Sequence, residues 1–224
     1  FIYINYPNNP TGAVATKAFY EKLVAWAKTY EVGVVSDLAY GALGYRGYEN
    51  PSFLSTPGAK DVGIEFYTFS KTFNMAGWRL AFAAGNARMI EALNLIQDHL
   101  FVGIFPALQE AGIAALLDPK SEEAVAQLNA VYDSRRDAFT QSAAKIGWQA
   151  FPSKGSFYAW MPVPEGYTSE SFADLLLEKA HVAVAPGKGF GPAGDAYVRI
   201  GLLVEPERLV EAVDRIANLH LFNN

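Results

Sequence analysis

The sequence predicts an α/β domain followed by a smaller α+β domain. In the first half, apolar segments rich in β-branched and aromatic residues lack a strict alternation of apolar and polar positions. Such segments are typical of a mostly parallel sheet that is covered on both faces. In the second half, short apolar segments interleave with longer amphipathic ones, a pattern that indicates a small α+β unit. We therefore expect one domain at 1–105 and another at 106–224.

Local signals place the elements of the first domain. Thr16 is a suitable N-cap for a helix that extends to about residue 30, because its hydroxyl can accept a hydrogen bond from the first turn. The predicted strands are 1–6, 32–36, 62–69 and 80–84. Only ten residues, 70–79, separate the last two strands, whereas a parallel crossover needs a dozen or more. We therefore expect the last strand to run antiparallel to its predecessor.

The second half is predicted from the same kinds of signal. The helices are 88–99, 106–117, 121–146, 169–180 and 206–219. The short strands are 148–151, 157–161, 182–185 and 197–200. Four charged residues in the long helix, Asp133, Arg135, Arg136 and Asp137, are interpreted as a solvent-exposed face.

Composition excludes several classes of function. The 224 residues are 51% hydrophobic and 18% charged, with a net charge of −5, which supports a packed core and gives no basic surface for nucleic acid. Cysteine is absent, which excludes disulfides and thiol chemistry and fits a reducing, cytoplasmic compartment. No apolar run approaches the ~18 residues that span a membrane, so no membrane partner is expected. The chain starts at Phe1 inside a predicted strand, so we expect residues upstream of it.

Polar side chains follow the predicted carboxyl ends of the strands, where open α/β sheets bind ligands. They are Asn9, Asp37, Tyr40, Thr68, Ser70, Lys71 and, through the antiparallel strand, Arg79. A lysine amine at the end of a buried strand is suited to Schiff-base formation. An arginine with two hydroxyls matches a phosphate, and a carboxylate can keep a pyridine nitrogen protonated. Together these functions describe a pyridoxal phosphate site.

Four sequence blocks carry a family resemblance. They are Asn8-Asn9-Pro10-Thr11-Gly12, Ser36-Asp37-Leu38-Ala39-Tyr40, the segment from Thr68 to Arg79, and Tyr197-Val198-Arg199-Ile200. In this order they closely resemble class I/II aminotransferases of the aspartate aminotransferase fold. The sequence around them is most similar to that of the LL-diaminopimelate aminotransferase branch. The resemblance covers essentially the whole chain. It implies that 1–105 is the C-terminal part of a large domain that binds pyridoxal 5'-phosphate, and that 106–224 is the small C-terminal domain.

The resemblance implies catalytic roles for three residues. Lys71 would bind the cofactor as a Schiff base and shuttle the proton of the substrate α-carbon. Asp37 would pair with the pyridine nitrogen of the cofactor. Tyr40, together with Asn9, would donate hydrogen bonds to the 3′ oxygen of the cofactor.

The remaining matched residues would bind phosphate and substrate. The cofactor phosphate would be held by Ser70, Arg79 and Thr68, which stands where serine is more usual. Arg199 would bind the α-carboxylate of the substrate in a bidentate contact. Family members also carry an N-terminal stretch with a phosphate-binding helix, a stacking aromatic and part of a dimer contact, which these 224 residues lack. The implied partners are an amino acid, a 2-oxo acid and a second subunit in a homodimer.

Two further patterns are assigned no function. Gly189, Gly191 and Gly194 match the spacing of a dinucleotide-binding motif, but that motif must open a helix, whereas here Pro192 interrupts it and a strand follows. We interpret it as a flexible loop near Arg199. The three histidines are far apart in the sequence and lack the spacing of metal ligands, so no metal site is expected.

Three functions remain open at this point. The first is an aminotransferase, with glutamate and 2-oxoglutarate as one expected pair. The second is a C–S lyase or another β-eliminating enzyme with the same cofactor, because fold and cofactor do not fix the reaction. The third is the aminotransferase-like sensing half of a transcription regulator.

Overall fold

The computed structural model describes residues 1–222, which form two compact units. The first unit comprises Phe1–Pro7 and Val14–Leu128, and the second comprises Asn8–Ala13 and 129–222. The units divide after Leu128, whereas the domain boundary expected from the sequence lies after residue 105. A Cβ atom added at Gly112 would meet Leu80 and Phe69, which shows how closely the helix around it packs within the first unit.

The first unit contains a sheet whose strands are neighbours in chain order. Within the described residues these strands are β1 (Ile2–Asn5), β2 (Val34–Asp37), β3 (Gly63–Thr68) and β4 (Ala81–Gly85). The first three run parallel, with Asn5 opposite Asp37 and Asp37 opposite Phe66. Strand β4 runs antiparallel to β3, with Thr68 opposite Ala81, so the predicted direction is confirmed.

Helices and short turns connect the strands of this sheet. The helices are α1 (Lys17–Thr29), α2 (Ala59–Val62), α3 (Phe69–Thr72), α4 (Ala87–Leu100) and α5 (Pro106–Leu117). The 3₁₀ turns are Tyr45–Gly47, Phe53–Ser55 and Ala76–Trp78. Helix α1 begins as predicted, because the hydroxyl of Thr16 accepts a 3.1 Å hydrogen bond from the amide of Phe19. Its buried face, which includes Tyr20 and Leu23, packs with Ile4 of the sheet.

The second unit has its own three-stranded antiparallel sheet, in the order β5-β7-β6. In the part of the chain that the structure describes, the strands are β5 (Tyr158–Pro162), β6 (Ala185–Pro186) and β7 (Tyr197–Gly201). The helices are α6 (Ser121–Lys145), α7 (Ser169–Leu175), a π turn at Leu176–Ala180 and α8 (Pro206–Ala217). The 3₁₀ turns are Gly187–Phe190 and Pro192–Ala196. Helix α6 begins in the first unit and continues into the second.

Two strands predicted for the second unit differ from the structure. Residues 148–151 form no strand. Trp148 is 1% exposed and joins the core, where its indole N–H donates to the carbonyl of Pro162 at 2.7 Å. The strand predicted at 182–185 shortens to Ala185–Pro186. The core around Trp148 also contains Phe139 and Phe172.

No helix within residues 1–222 is both long enough and apolar enough to cross a lipid bilayer.

Candidate functional site

The carboxyl ends of the parallel strands carry polar side chains, as predicted. Asp37 ends β2, and its carboxylate accepts a 3.0 Å hydrogen bond from the amide of Ala39. Asn5 ends β1, and its side-chain amide donates to the backbone carbonyl of Asp37 at 3.1 Å. The turn after β2 is therefore held from both sides, while the Asp37 carboxylate stays exposed. Asn5 was not identified from the sequence, although its place at a strand end was a usable signal.

Lys71 and Tyr40 are neighbours in the first unit. Lys71 lies in the single-turn helix α3, which directly follows β3. Its amine lies 5.9 Å from the centroid of the Tyr40 ring, within the range of a cation–π contact. The Tyr40 side chain is 5% exposed, so packing fixes the position of the ring beside the amine. The structure thus brings together two of the three residues predicted to be catalytic.

Thr68 and Ser70 form a hydroxyl pair at the start of α3. The hydroxyl oxygen of Thr68 lies 3.0 Å from that of Ser70 and accepts a 3.2 Å hydrogen bond from the amide of Ser70. Arg79 is the third predicted phosphate ligand. Its backbone adopts a positive φ of 54°, and its guanidinium donates to the carbonyl of Ala76 at 3.1 Å. Arg79 is thus exposed and bound to its own turn.

A half-buried tyrosine supports the helix that carries Lys71. The phenol of Tyr67 donates to the hydroxyl of Thr72 at 2.7 Å. Burial raises the pKa of Tyr67 above its usual value, and the hydrogen bond with Thr72 offsets part of that rise. Tyr67 is therefore a neutral donor at physiological pH. It connects β3 to the residue next to Lys71.

Glu65 is a buried carboxylate behind the strand ends. It is 6% exposed and accepts hydrogen bonds from the hydroxyl of Ser36 at 3.0 Å, from the amide of Phe53 at 2.8 Å and from the hydroxyl of Ser52. These bonds tie two strands to the turn at Phe53–Ser55. A few residues earlier, the side chain of Asn50 donates to the carbonyl of Gly41 at 3.1 Å. The segment that carries Tyr40 is therefore anchored at both of its ends.

Arg199 and Asn9 meet in the second unit. A guanidinium nitrogen of Arg199 donates to the side-chain oxygen of Asn9 at 2.8 Å. The guanidinium carbon lies 4.2 Å from the ring centroid of Tyr158 and 4.7 Å from that of Phe190. We call these four residues the Arg199 cluster. Neither aromatic residue was identified as a site residue from the sequence, since rings on two different segments carry no shared motif.

The loop that presents Asn9 is fixed by its own hydrogen bonds. The side chain of Asn8 accepts from the amide and the hydroxyl of Thr11, at 3.1 and 2.7 Å. Gly12 has a φ of +70°, and a Cβ atom there would lie 2.0 Å from the hydroxyl of Ser153. Glycine is therefore required at this position both by conformation and by space.

Arg136 corrects one sequence interpretation. It was placed on a solvent-exposed face, but it is 5% exposed. One nitrogen of its guanidinium donates to the carbonyls of Ser156 and Tyr158 at 2.9 and 3.1 Å, and lies 3.4 Å from that of Gly155. Arg136 therefore shapes the turn that leads into Tyr158 of the Arg199 cluster.

The comparisons with known proteins identify the family. The family model described as aminotransferase class I and II matches residues 1–216. The chain therefore belongs to the class I and II aminotransferases.

Individual relatives agree with this assignment. The chain is 59% identical over 221 residues to the L-glutamine–4-(methylsulfanyl)-2-oxobutanoate aminotransferase of Bacillus subtilis and 49% identical over 215 residues to the LL-diaminopimelate aminotransferase of Moorella thermoacetica. These matches cover 99% and 96% of the chain but 55% of each relative. The chain thus spans about half the length of these curated relatives.

Solved structures show the same fold. The apo structure of BacF from Bacillus subtilis is 48% identical, with a TM-score of 0.94, and the match covers 99% of this chain and 56% of that one. A double mutant of the Thermus thermophilus aspartate aminotransferase is 32% identical, with a TM-score of 0.90 and coverage of 97% and 56%. The predicted aspartate aminotransferase-like fold is therefore confirmed.

Proposed function

We propose that this chain is part of a pyridoxal-phosphate-dependent aminotransferase, which moves an amino group between an L-amino acid and a 2-oxo acid. The observation that carries the proposal is the Lys71 amine beside the buried Tyr40 ring, in the unit whose strand ends present Asp37 and Thr68. The relatives described above are all named as aminotransferases, which favours this reaction over the lyase and the sensing module.

The residues of the first unit fit the proposed cofactor by their chemistry. When bound, pyridoxal phosphate supplies an aldehyde that reacts with amines and a ring that withdraws electrons from the substrate α-carbon. Asp37 offers a carboxylate to the pyridine nitrogen, and Tyr40 offers a phenol to the 3′ oxygen. The hydroxyls of Thr68 and Ser70 lie together and match two oxygens of a phosphate. Arg79 would complete the phosphate site by turning from the carbonyl of Ala76.

Each remaining residue has a defined task in the proposed reaction. The Lys71 amine would accept the proton of the substrate α-carbon and deliver it to carbon C4′ of the cofactor. The Arg199 guanidinium binds and orients the α-carboxylate. Asn9 orients that guanidinium through the 2.8 Å hydrogen bond and is also proposed to donate to the 3′ oxygen of the cofactor.

The identity of the two substrates is a more specific part of the proposal. Glutamate and 2-oxoglutarate remain the pair that the family resemblance implies. The name of the Bacillus subtilis relative gives glutamine and 4-(methylsulfanyl)-2-oxobutanoate as the competing pair. Initial rates with both pairs, measured on the full-length protein, would rank them.

We also propose a homodimer. Helix α4 buries none of its residues, and Leu100, Phe101 and Leu117 are 69–76% exposed. Large apolar side chains with this degree of exposure favour a surface that further protein covers. A mass measurement of the full-length protein in solution tests this, because a monomer at micromolar concentration would contradict it.

The deciding experiment is covalent trapping of the cofactor on the full-length protein. Pyridoxal phosphate is added, borohydride is used to reduce the adduct, and labelled lysines are located by mass spectrometry. We expect selective labelling of Lys71 and none at Lys22, an exposed lysine of α1. Diffuse labelling would contradict the assigned site. Release of pyruvate from cysteine without an added 2-oxo acid would instead support the β-eliminating alternative.

A further inference from the structure

The loop between β6 and β7 presents an aromatic ring at its tip. Phe190 stands between Gly189 and Gly191, and a Cβ atom added at either glycine would meet nothing within 4 Å. Gly191 also has a φ of +128°, which favours glycine. The tip therefore has room to adjust the position of the ring.

The base of the same loop is tightly fixed. A Cβ atom added at Gly187 would lie 2.1 Å from the carbonyl oxygen of Gly194, and one added at Gly194 would lie 2.1 Å from that of Gly187. Only two glycines allow the backbones to approach so closely. Of the three glycines that match a dinucleotide motif, Gly194 is thus explained by the packing of this loop, whereas Gly189 and Gly191 lie at its open tip.

A buried serine also holds the base. Ser169 is 0% exposed. Its hydroxyl donates to the carboxylate of Asp195 at 2.8 Å and accepts from the amide of Lys188 at 3.2 Å. The hydrogen bond from Ser169 holds the pKa of Asp195 below its usual range, so Asp195 is ionised at neutral pH. Both sides of the loop are thus tied to the start of α7.

Phe190 reaches from this loop to Arg199. Its ring centroid lies 4.7 Å from the guanidinium carbon, and the Trp160 ring meets it edge-on, with centroids 6.0 Å apart and planes at 81°. The Tyr158 ring lies near the same guanidinium, at 4.2 Å. Aromatic rings around a cation restrict its orientation and exclude water, which strengthens its interaction with an anion.

We infer that Phe190 is a positioning residue that strengthens the binding of the substrate carboxylate to Arg199. The inference rests on the proposed carboxylate-binding role of Arg199. It adds a second residue, Phe190, that positions the Arg199 guanidinium for this role. Phe190 itself is not expected to touch the reacting atoms. Its contribution should therefore appear in the affinity for carboxylate substrates and not in the chemical step.

Calorimetry of 4-(methylsulfanyl)-2-oxobutanoate binding to the full-length, cofactor-loaded protein tests the inference without requiring turnover. We expect Phe190→Leu to weaken binding by about fivefold and Phe190→Tyr, which keeps the ring, to restore it. Phe151→Leu is the matched control, because Phe151 is 43% exposed and Phe190 is 41% exposed. It should change binding by less than about twofold, the size usual for exposed positions.

A double-mutant cycle with Arg199→Lys separates a direct role from one that acts through Arg199. If Phe190 acts through Arg199, Phe190→Leu weakens binding less in the Arg199→Lys background than in the wild type. An equal loss in both backgrounds, or no loss in Phe190→Leu alone, would overturn the inference. A wild-type protein that binds the 2-oxo acid but performs no transamination would refute the proposed function and leave this inference standing.

Discussion

The side chains of Arg199 and Asn9 are joined by a 2.8 Å hydrogen bond, although 190 positions separate them in the sequence. Because Asn9 offers a neutral oxygen, it orients the guanidinium without cancelling its charge. The charge of Arg199 therefore remains available to a substrate carboxylate. The Asn9 amide is therefore expected to contribute to the proposed recognition through Arg199.

Replacement of Asn9 by aspartate should therefore be more harmful than replacement by alanine. A carboxylate at this position would form an ion pair with Arg199 and compete with the substrate. We expect Asn9→Asp to raise the KM for the 2-oxo acid roughly tenfold or more above that of Asn9→Ala. Steady-state kinetics of the full-length protein measure this, with Asn218→Asp at the exposed end of α8 as the control. Equal KM values for the two Asn9 variants would argue against an orienting role.

Lys71→Ala should abolish transamination and leave the fold intact. The substitution removes the proposed proton carrier, whereas the side chain lies at the surface of a short helix and is only half-buried. The loss of kcat should exceed about 10³-fold, while the urea-unfolding midpoint stays near that of the wild type. Lys22→Ala serves as the control for both measurements. Retained turnover in Lys71→Ala would refute the proposed mechanism.

Arg79→Ala should weaken retention of the cofactor more than it weakens substrate binding. The guanidinium is exposed and is the third proposed phosphate ligand beside Thr68 and Ser70. Loss of a charged hydrogen bond to phosphate should raise the Kd for pyridoxal phosphate about tenfold. Absorbance of the protein after dialysis measures the loss, with Arg208→Ala on α8 as the matched exposed arginine. A variant that keeps its cofactor through dialysis would show that Arg79 does not hold the phosphate.

Glu65→Gln should destabilise the first unit. The glutamine oxygen can still accept from the amide of Phe53 and the hydroxyl of Ser36, but the N–H₂ group then faces the hydroxyl of Ser52, which donates to the carboxylate in the wild type. We expect a loss of about 1–3 kcal/mol in the free energy of unfolding. Urea denaturation measures it, and Glu49→Gln, at an exposed position, should have little effect. If the two variants are equally stable, the buried carboxylate does not anchor the turn.

Arg136→Met should cost much more stability than the same change at Arg208. The substitution removes the buried donor to the carbonyls of Ser156 and Tyr158. We expect this to lower the free energy of unfolding by roughly 2–4 kcal/mol. Arg208 forms a surface pair with Glu211 and is 63% exposed, so its loss should cost less than about 1 kcal/mol. Denaturation of the two variants in parallel gives the comparison. Similar unfolding midpoints for the two variants would indicate that Arg136 contributes no more to stability than a surface arginine, as the sequence suggested.

The elements that local signals define were predictable from the sequence. Thr16 caps α1 because capping depends on residues within one turn. The antiparallel direction of β4 followed from the length of the connection alone. Family motifs likewise led to Lys71 and Tyr40, and the structure places them side by side.

Features that depend on distant backbone could not be predicted. The acceptors of Arg136 are main-chain carbonyls, which leave no trace in residue type, so its charge suggested a solvated position. The environment of Trp148 is set by distant parts of the chain, because its ring packs in a core built from other segments and its indole N–H donates to the carbonyl of Pro162. The contact of Phe190 with Arg199 could not be predicted, because the two residues lie on different elements.

The second unit is not one continuous stretch of chain. Asn8–Ala13 belongs to it, whereas the residues on either side of that segment belong to the first unit. A chimera that exchanged only 129–222 between two relatives would therefore combine the arginine of one parent with the asparagine of the other. These two positions should be inherited as a matched pair, and recombination of family members at the boundary after Leu128 should succeed only when both parents share the asparagine loop.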